Sequence, residues 1–207
     1  MTDFTSKIFL YFVIVLSAVI HEYSHAFMAN ELGDDTAREM GRLSLNPIRH
    51  IDIMGTVLVP LFLMFTSGIF IGWAKPVPFN PLKLKGPKDE LKVALAGPAS
   101  NLAIAVIMSG LFFVMKAVIY NSAIVIAPFV ALIIQVNISL ALFNLIPVPP
   151  LDGSRLIGVV LPFEWTRRFE RLGILGIVIA LWIGMMVIPY AASFVFYIVT
   201  GFGRLFS

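Results

Sequence analysis

The strongest constraint on what this chain can fold into is its series of long, nearly uncharged runs. Five stretches, Ile8–Ile20, Ile53–Ile71, Leu91–Ile119, Ala123–Ile146 and Ile174–Phe206, are close to or beyond the roughly 20 apolar residues that cross a bilayer core of about 30 Å. Hydrophobic residues make up 59% of the 207 and charged residues only 13%, about half the share in a soluble domain, so a water-soluble globule is excluded. No run alternates in polarity, which excludes a transmembrane β-barrel. The chain is predicted to be an all-α, polytopic, integral membrane protein, with residues 1–207 forming a single membrane-embedded domain.

Turn and cap signals divide the runs into elements. Residues 4–32 are predicted as one helix, opened at Asp3 or Thr5 and closed by Gly33, with a polar interfacial connection over 34–52. The run 53–72 is apolar but interrupted by Gly55, Pro60, Gly68 and Gly72, and is not a secure span. The prolines of Trp73–Pro81 forbid helix and favour extended backbone, so a re-entrant or extended Pro-rich segment is expected between the first two core helices. A long helix then starts at Asp89–Glu90 and ends near Tyr120–Asn121. A span over 123–145 follows, then the Pro147–Gly153 turn, a basic stretch to Arg171, and one long helix over 173–203 kinked at Pro189. Lys7 precedes an apolar run with no small-residue cleavage site after it, so the first span is expected to be retained. The net charge of +3 is ordinary for a membrane protein with basic cytoplasmic loops, and no nucleic-acid partner is expected.

Within the first helix lies His21–Glu22–Tyr23–Ser24–His25, an H-E-x-x-H motif. At 100° per residue the two imidazoles project about 40° apart and one turn along, spaced for a single Zn²⁺. Glu22 falls on the same side, placed to take a proton from a water that the metal has acidified, which makes it the candidate general base. Two histidines and a glutamate deep in a membrane helix are costly unless they bind or pair, which argues against a chance pentapeptide. The chain has no cysteine, so zinc would be held by imidazole and carboxylate alone.

A hydrolytic zinc usually has three protein ligands and an open position. Glu31 projects onto the wrong face of the helix, and Asp34, Asp35, Glu39, Asp52, Asp89, Glu90, Glu164 and Glu170 sit in polar connections where solvation accounts for them. Asp152 stands apart, following an apolar span and the rigid Pro147–Pro150 segment, with Gly153 beside it to permit a tight turn. Its alternative role is to cap a helix beginning near Ser154. Asn101 and Asn144 are amides within spans, where interhelical hydrogen bonding is the default role. Ala94, Ala96, Gly97, Ala99 and Ser100 form a small-residue packing face, and His50 is expected to be an interfacial histidine.

His21–Glu22–x–x–His25 together with Asn144–x–x–Pro147–x–Pro149–x–Leu151–Asp152–Gly153 resembles the site-2 protease family of intramembrane zinc metalloproteases. Ala96–Gly97–Pro98–x–x–Asn101 and Gly72–Trp73–Ala74–Lys75–Pro76–Val77–Pro78 are similar to further segments of that family, so the resemblance covers about residues 15–155. It implies one Zn²⁺ per chain held by His21, His25 and Asp152, with Glu22 as general base. It also implies that Asn144 positions substrate or the oxyanion, and Asn101 is carried with it as a second candidate. No loop among these residues is long and polar enough to hold a PDZ or CBS module, so the resemblance is to a short form of the family.

The expected function is therefore intramembrane zinc endopeptidase, cleaving transmembrane segments of membrane-protein substrates in a bacterial or archaeal cell membrane. The Pro-rich segment is a candidate for pairing with an unwound substrate strand. A transporter or metal-permeation protein using the His/Glu/Asp cluster as a cation site is the alternative from another class, and a pseudoprotease scaffold a third. Charge favours a re-entrant 53–72: that path gathers twelve of the fifteen basic residues on one face and leaves Lys7, Lys116 and Arg204 opposite. An N-terminus outside the cytoplasm and a site nearer the cytoplasmic face are then expected.

Overall fold

The computed structural model describes residues 4–66, 72, 75–160, 164, 169 and 171–201. Among these the chain is helical, with no strand. The helices are α1 (Phe4–Glu31), α2 (Thr36–Glu39), α3 (Val59–Thr66), α4 (Pro87–Val118), α5 (Tyr120–Asn144), α6 (Ser154–Val160) and α7 (Ile174–Val199). Four of them are long and apolar enough to cross a membrane, within Phe4–Glu31, Pro87–Val118, Val125–Asn144 and Leu175–Val199. This is a multi-pass membrane protein. The caps and breakers in the sequence set the helix ends: α1 ends where Gly33 takes φ of 104°, and a single residue, Ile119, separates α4 from α5. The expected cap Asp3, Trp73–Ala74, and most of 161–170 lie outside the described residues.

The chain forms two compact units, Met1–Gly97 and Pro98–Ser207. In the first, α1 runs antiparallel to the opening turns of α4. Val93 lies opposite His25 and Gly97 lies opposite His21, while Ala29, Leu84 and Val93 share one apolar cluster. Among the described residues, the run after Asp52 forms no helix long enough to cross a bilayer. A π-helical turn, Ile53–Leu58, leads into α3, and the 14 residues from Ile53 to Thr66 give about 21 Å of helix, short of a bilayer core. Tyr11 Oη donates to the carbonyl of Thr56 at 3.0 Å, which ties this segment to α1. A Cβ on Gly72 would stand 2.7 Å from the Gly55 carbonyl oxygen and 2.5 Å from Pro60 Cγ, so the chain comes back against its own start. Gly72 is needed for that close approach, because a side chain there would collide with Pro60 and the Gly55 carbonyl.

In the second unit, Ala105, Phe112, Val130, Ile134, Ile138 and Ala192 form the core where α4, α5 and α7 meet. A buried amide pair crosses it. Asn101 Nδ2 donates to Asn137 Oδ1 at 3.0 Å, and Asn137 Nδ2 donates to the Ile133 carbonyl at 2.9 Å. Both side chains are fully buried. At membrane depth water cannot supply those partners, so one amide must find the other.

Candidate active site

His21 is buried and His25 half-buried on the face of α1 turned to α4. His25 Nδ1 lies 2.7 Å from the Val93 carbonyl, which can only accept, so Nδ1 donates to it, and in the neutral form of that ring Nε2 would present its lone pair. A ligating histidine is commonly oriented in this way, by donating its other ring N–H to a backbone carbonyl. The Nε2 atoms of His21 and His25 are 3.0 Å apart. Two nitrogens bound to one tetrahedral zinc at about 2.0–2.1 Å stand roughly 3.3 Å from each other, so the pair fits that metal to within a few tenths of an ångström. Gly97 makes room for it. A Cβ there would lie 2.6 Å from both Cε1 and Nε2 of His21 and would meet His25 Nε2 still more closely. The face read from sequence as small-residue packing thus serves the histidine pair.

Glu22 faces the Pro-rich segment. Its Oε2 accepts the N–H of Val77 at 2.8 Å, across 55 residues of sequence. Residues 75–80 lie outside any helix, as their prolines require. Three of the segment's backbone donors are engaged within this unit: Lys75 N–H donates to the His50 carbonyl, Val77 N–H to Glu22, and Asn80 N–H to Asp34. Strand pairing with a substrate therefore cannot draw on those three N–H groups.

Two acids expected to be solvated in polar connections, Asp34 and Asp89, are buried instead. Asp34 is fully buried rather than solvated. Its carboxylate accepts the Thr36 N–H at 3.1 Å, Thr36 Oγ1 at 2.5 Å and the Asn80 N–H at 2.5 Å, with Lys83 Nζ 4.0 Å away. Burial pushes its pKa up, but the bonds from Thr36 and Asn80 and the Lys83 charge outweigh this and hold it below the ordinary carboxylate value. Lys83 also pairs with Asp35. His50 is buried too, with Nε2 2.6 Å from the Ser44 carbonyl. The burial of Asp34 was not legible locally, because one of its hydrogen bonds comes from Asn80, 46 residues away.

In the second unit, Asn144 ends α5 and Asp152 stands two residues before α6. One turn holds both: Gly153 N–H donates to the Asn144 carbonyl at 2.7 Å, Leu151 N–H to Val148 at 3.0 Å, and the Pro149–Pro150 bond is cis. A Cβ on Gly153 would stand 2.6 Å from the Ile146 carbonyl oxygen and would collide with that of Leu145. Gly153 is thus needed for close approach to the end of α5. Asn144 Nδ2 donates to the Leu140 carbonyl of its own helix at 3.0 Å. Asn137, the partner of Asn101, escaped the sequence reading; its depth within a span is the signal that could have found it.

A multi-pass helical protein carrying a paired-imidazole donor set and an adjacent held carboxylate in its first span has the equipment of a membrane metallopeptidase. Comparison with known proteins agrees. The model of peptidase family M50 matches residues 113–188, the part that contains Asn144 and Asp152. YwhC of Bacillus subtilis, named as a zinc metalloprotease, is 40% identical over 161 residues, covering 74% of this chain and 69% of that protein. Rip2 of Mycolicibacterium smegmatis, also named as a zinc metalloprotease, is 30% identical over 142 residues, and the chain spans about half its length, 52%. MJ0611 of Methanocaldococcus jannaschii, named likewise, is 35% identical over 79 residues, 38% of each chain. No solved structure matches. The chain belongs to peptidase family M50, the site-2 protease family, and is a zinc metallopeptidase.

Proposed function

We propose that this chain acts as one membrane-embedded domain that hydrolyses peptide bonds in or near transmembrane segments of other membrane proteins, in a bacterial or archaeal cell membrane. The observation that carries this reading is the position of the donor pair. His21 and His25 lie about 9–15 Å inside the end of a 28-residue apolar helix, a depth at which a substrate must itself be membrane-borne. His21, His25 and Asp152 would hold one Zn²⁺, which would supply Lewis acidity to acidify water and polarise the scissile carbonyl. Glu22 takes the proton of the attacking water and passes it to the departing amide nitrogen. The Val77 N–H on Oε2 fixes the carboxylate's orientation and leaves Oε1 for that transfer. Asn144, beside Asp152 in one turn, positions the substrate carbonyl, and Asn101 supports that helix through Asn137. A helical substrate must unwind locally before attack, because its scissile carbonyl is otherwise engaged in its own hydrogen bonds.

The test is a proteomic comparison of membranes holding the active protein or Glu22→Gln. Substrates cut within or beside a transmembrane segment should accumulate intact in the variant, which should keep its zinc while losing at least the roughly 10²–10⁴-fold typical of acid–base catalysis. Cleavage confined to soluble proteins, or near-native activity of Glu22→Gln, overturns the reading.

A further inference from the structure

Among the described residues, the hydrogen bond that orients Glu22 is the Val77 N–H, so whatever fixes Val77 also fixes the carboxylate. Arg42 does this from the interfacial connection. Its Nη2 donates to the carbonyl of Lys75 at 2.8 Å and lies 3.4 Å from that of Pro76, while Lys75 N–H donates to the His50 carbonyl at 3.0 Å. Pro76 and Pro78 lock φ on either side of Val77, so residues 75–78 behave as a strut: a shift of the Lys75 and Pro76 carbonyls is transmitted to the Val77 N–H instead of being absorbed by rotation. Arg42 holds this position at a cost, since its Nε is buried with no hydrogen-bond partner among the described residues. A buried donor left unsatisfied is not what stability alone selects, and it calls for a reason at a nearby site.

We propose that Arg42 is a positioning residue for Glu22, acting through the Lys75–Val77 strut. This rests on the reading of Glu22 as the proton carrier. The guanidinium suits the task because its planar set of donors can address two successive carbonyls, whereas a lysine ammonium on a flexible stem would hold one of them less firmly. Among the described residues Arg42 makes no hydrogen bond or ion pair with the histidine pair or Glu22, so its loss should alter the rate while leaving the metal in place.

The experiment uses the full chain and a quenched-fluorophore transmembrane peptide that the wild-type protein cleaves. Arg42→Gln should lower kcat at least tenfold, and Arg42→Lys about three- to tenfold, with KM and bound zinc within twofold of wild type in both. Hydrogen exchange on the metal-free protein reads the contact without activity. The stretch 75–81 has only four backbone amides, at Lys75, Val77, Phe79 and Asn80, because its three prolines carry none. Exchange at Val77 should accelerate in Arg42→Gln and in Glu22→Ala, while Asn80, held by Asp34, should stay protected in Glu22→Ala. Wild-type kcat in Arg42→Gln, or unchanged Val77 exchange, overturns the proposal. If Arg42→Gln does not fold, Arg42→Lys decides, and wild-type kcat with wild-type Val77 exchange in that variant overturns it. An active Glu22→Gln would instead sink the reading of Glu22, a result separable from every Arg42 outcome.

Discussion

Gly97→Ala is the smallest change that should empty the metal centre. In a helix interior, replacing glycine by alanine ordinarily stabilises by up to about 1 kcal/mol, because alanine loses less backbone entropy on folding. Here the sign should reverse. The new Cβ would stand 2.6 Å from His21 Nε2 and Cε1, about 0.8 Å inside the 3.4 Å at which ordinary contact begins, and closer still to His25 Nε2. Either α4 backs away from α1, or both imidazoles swing aside. Zinc–ligand distances are held within about 0.2 Å, so a displacement several times larger leaves no common position for the ion. The expected loss of zinc affinity is at least the 10–100-fold seen when an outer-sphere partner of a metal ligand is removed. The matched control is Gly110→Ala, in the same helix, where a Cβ would meet nothing within 4 Å. Metal content after dialysis against a graded chelator series, with helicity by circular dichroism, reads both variants. Gly97→Ala at native zinc affinity and native rate would refute the close-approach reasoning; an equal loss in Gly110→Ala would refute its specificity.

Asp152→Ala should lose bound zinc with the fold intact, whereas a helix-capping role predicts a stability loss of about 1 kcal/mol with the metal retained; metal analysis of the purified variant decides. Asn101→Leu strands the Asn137 side-chain Oδ1 and should cost about 1–3 kcal/mol in denaturant unfolding, and Asn101→Leu with Asn137→Leu together should recover part of it. Wild-type stability with a lost rate would make Asn101 a substrate contact instead. Asp34, whose folded pKa is held below the ordinary 3.8, contributes stability that is complete above that value and fades as pH falls through the folded pKa. Asp34→Asn should therefore flatten the acid limb of the stability profile below about pH 4, and an unchanged limb would place the acid-sensitive group elsewhere.

The parts legible in the sequence are those set by local or periodic causes. Span existence follows from apolar length, the close of α1 from Gly33, and the His21/His25 pairing from a four-residue spacing on a helix. The close return at Gly72 was foreshadowed by the glycines and Pro60 of the interrupted run. What escaped is set by partners distant in the chain. Asp34 sits among polar neighbours and reads as solvated, yet its burial depends on Asn80, 46 residues later. Gly97 reads as one small residue among several, and only the antiparallel register with α1 singles it out as the one beneath the imidazoles. Val77 carries no chemistry in its side chain. Its role is a backbone N–H directed by prolines and by Arg42, and no residue-type pattern reveals that.

The membrane topology can now be argued from geometry as well as charge. The last turn of α1 and the approach to α4 meet: Asp35 pairs with Lys83, and Asp34 holds the Asn80 N–H. The intervening chain leaves that end of the unit and returns to it. Thr56 is bonded at the level of Tyr11 and Val77 at the level of Glu22, eleven residues apart on α1, so the excursion runs about 16 Å along the helix. Gly72, packed on Gly55 and Pro60, marks the way back. A crossing would instead put residues 35 and 83 on opposite faces, at odds with their ion pair. Eight basic residues, Arg38, Arg42, Arg49, Lys75, Lys83, Lys85, Lys88 and Lys92, then lie in the connection from α1 or within the first two turns of α4, against Lys7 alone near the start of α1. The positive-inside rule predicts that the basic end is cytoplasmic and the N-terminus outside. Single cysteines at Asp35 and Lys85 should react with an impermeant thiol reagent from the cytoplasmic side, and one at Lys7 from the other. Labelling of 35 and 85 from opposite sides would exclude the re-entrant path, and labelling of both from outside would reverse the orientation while leaving the path intact.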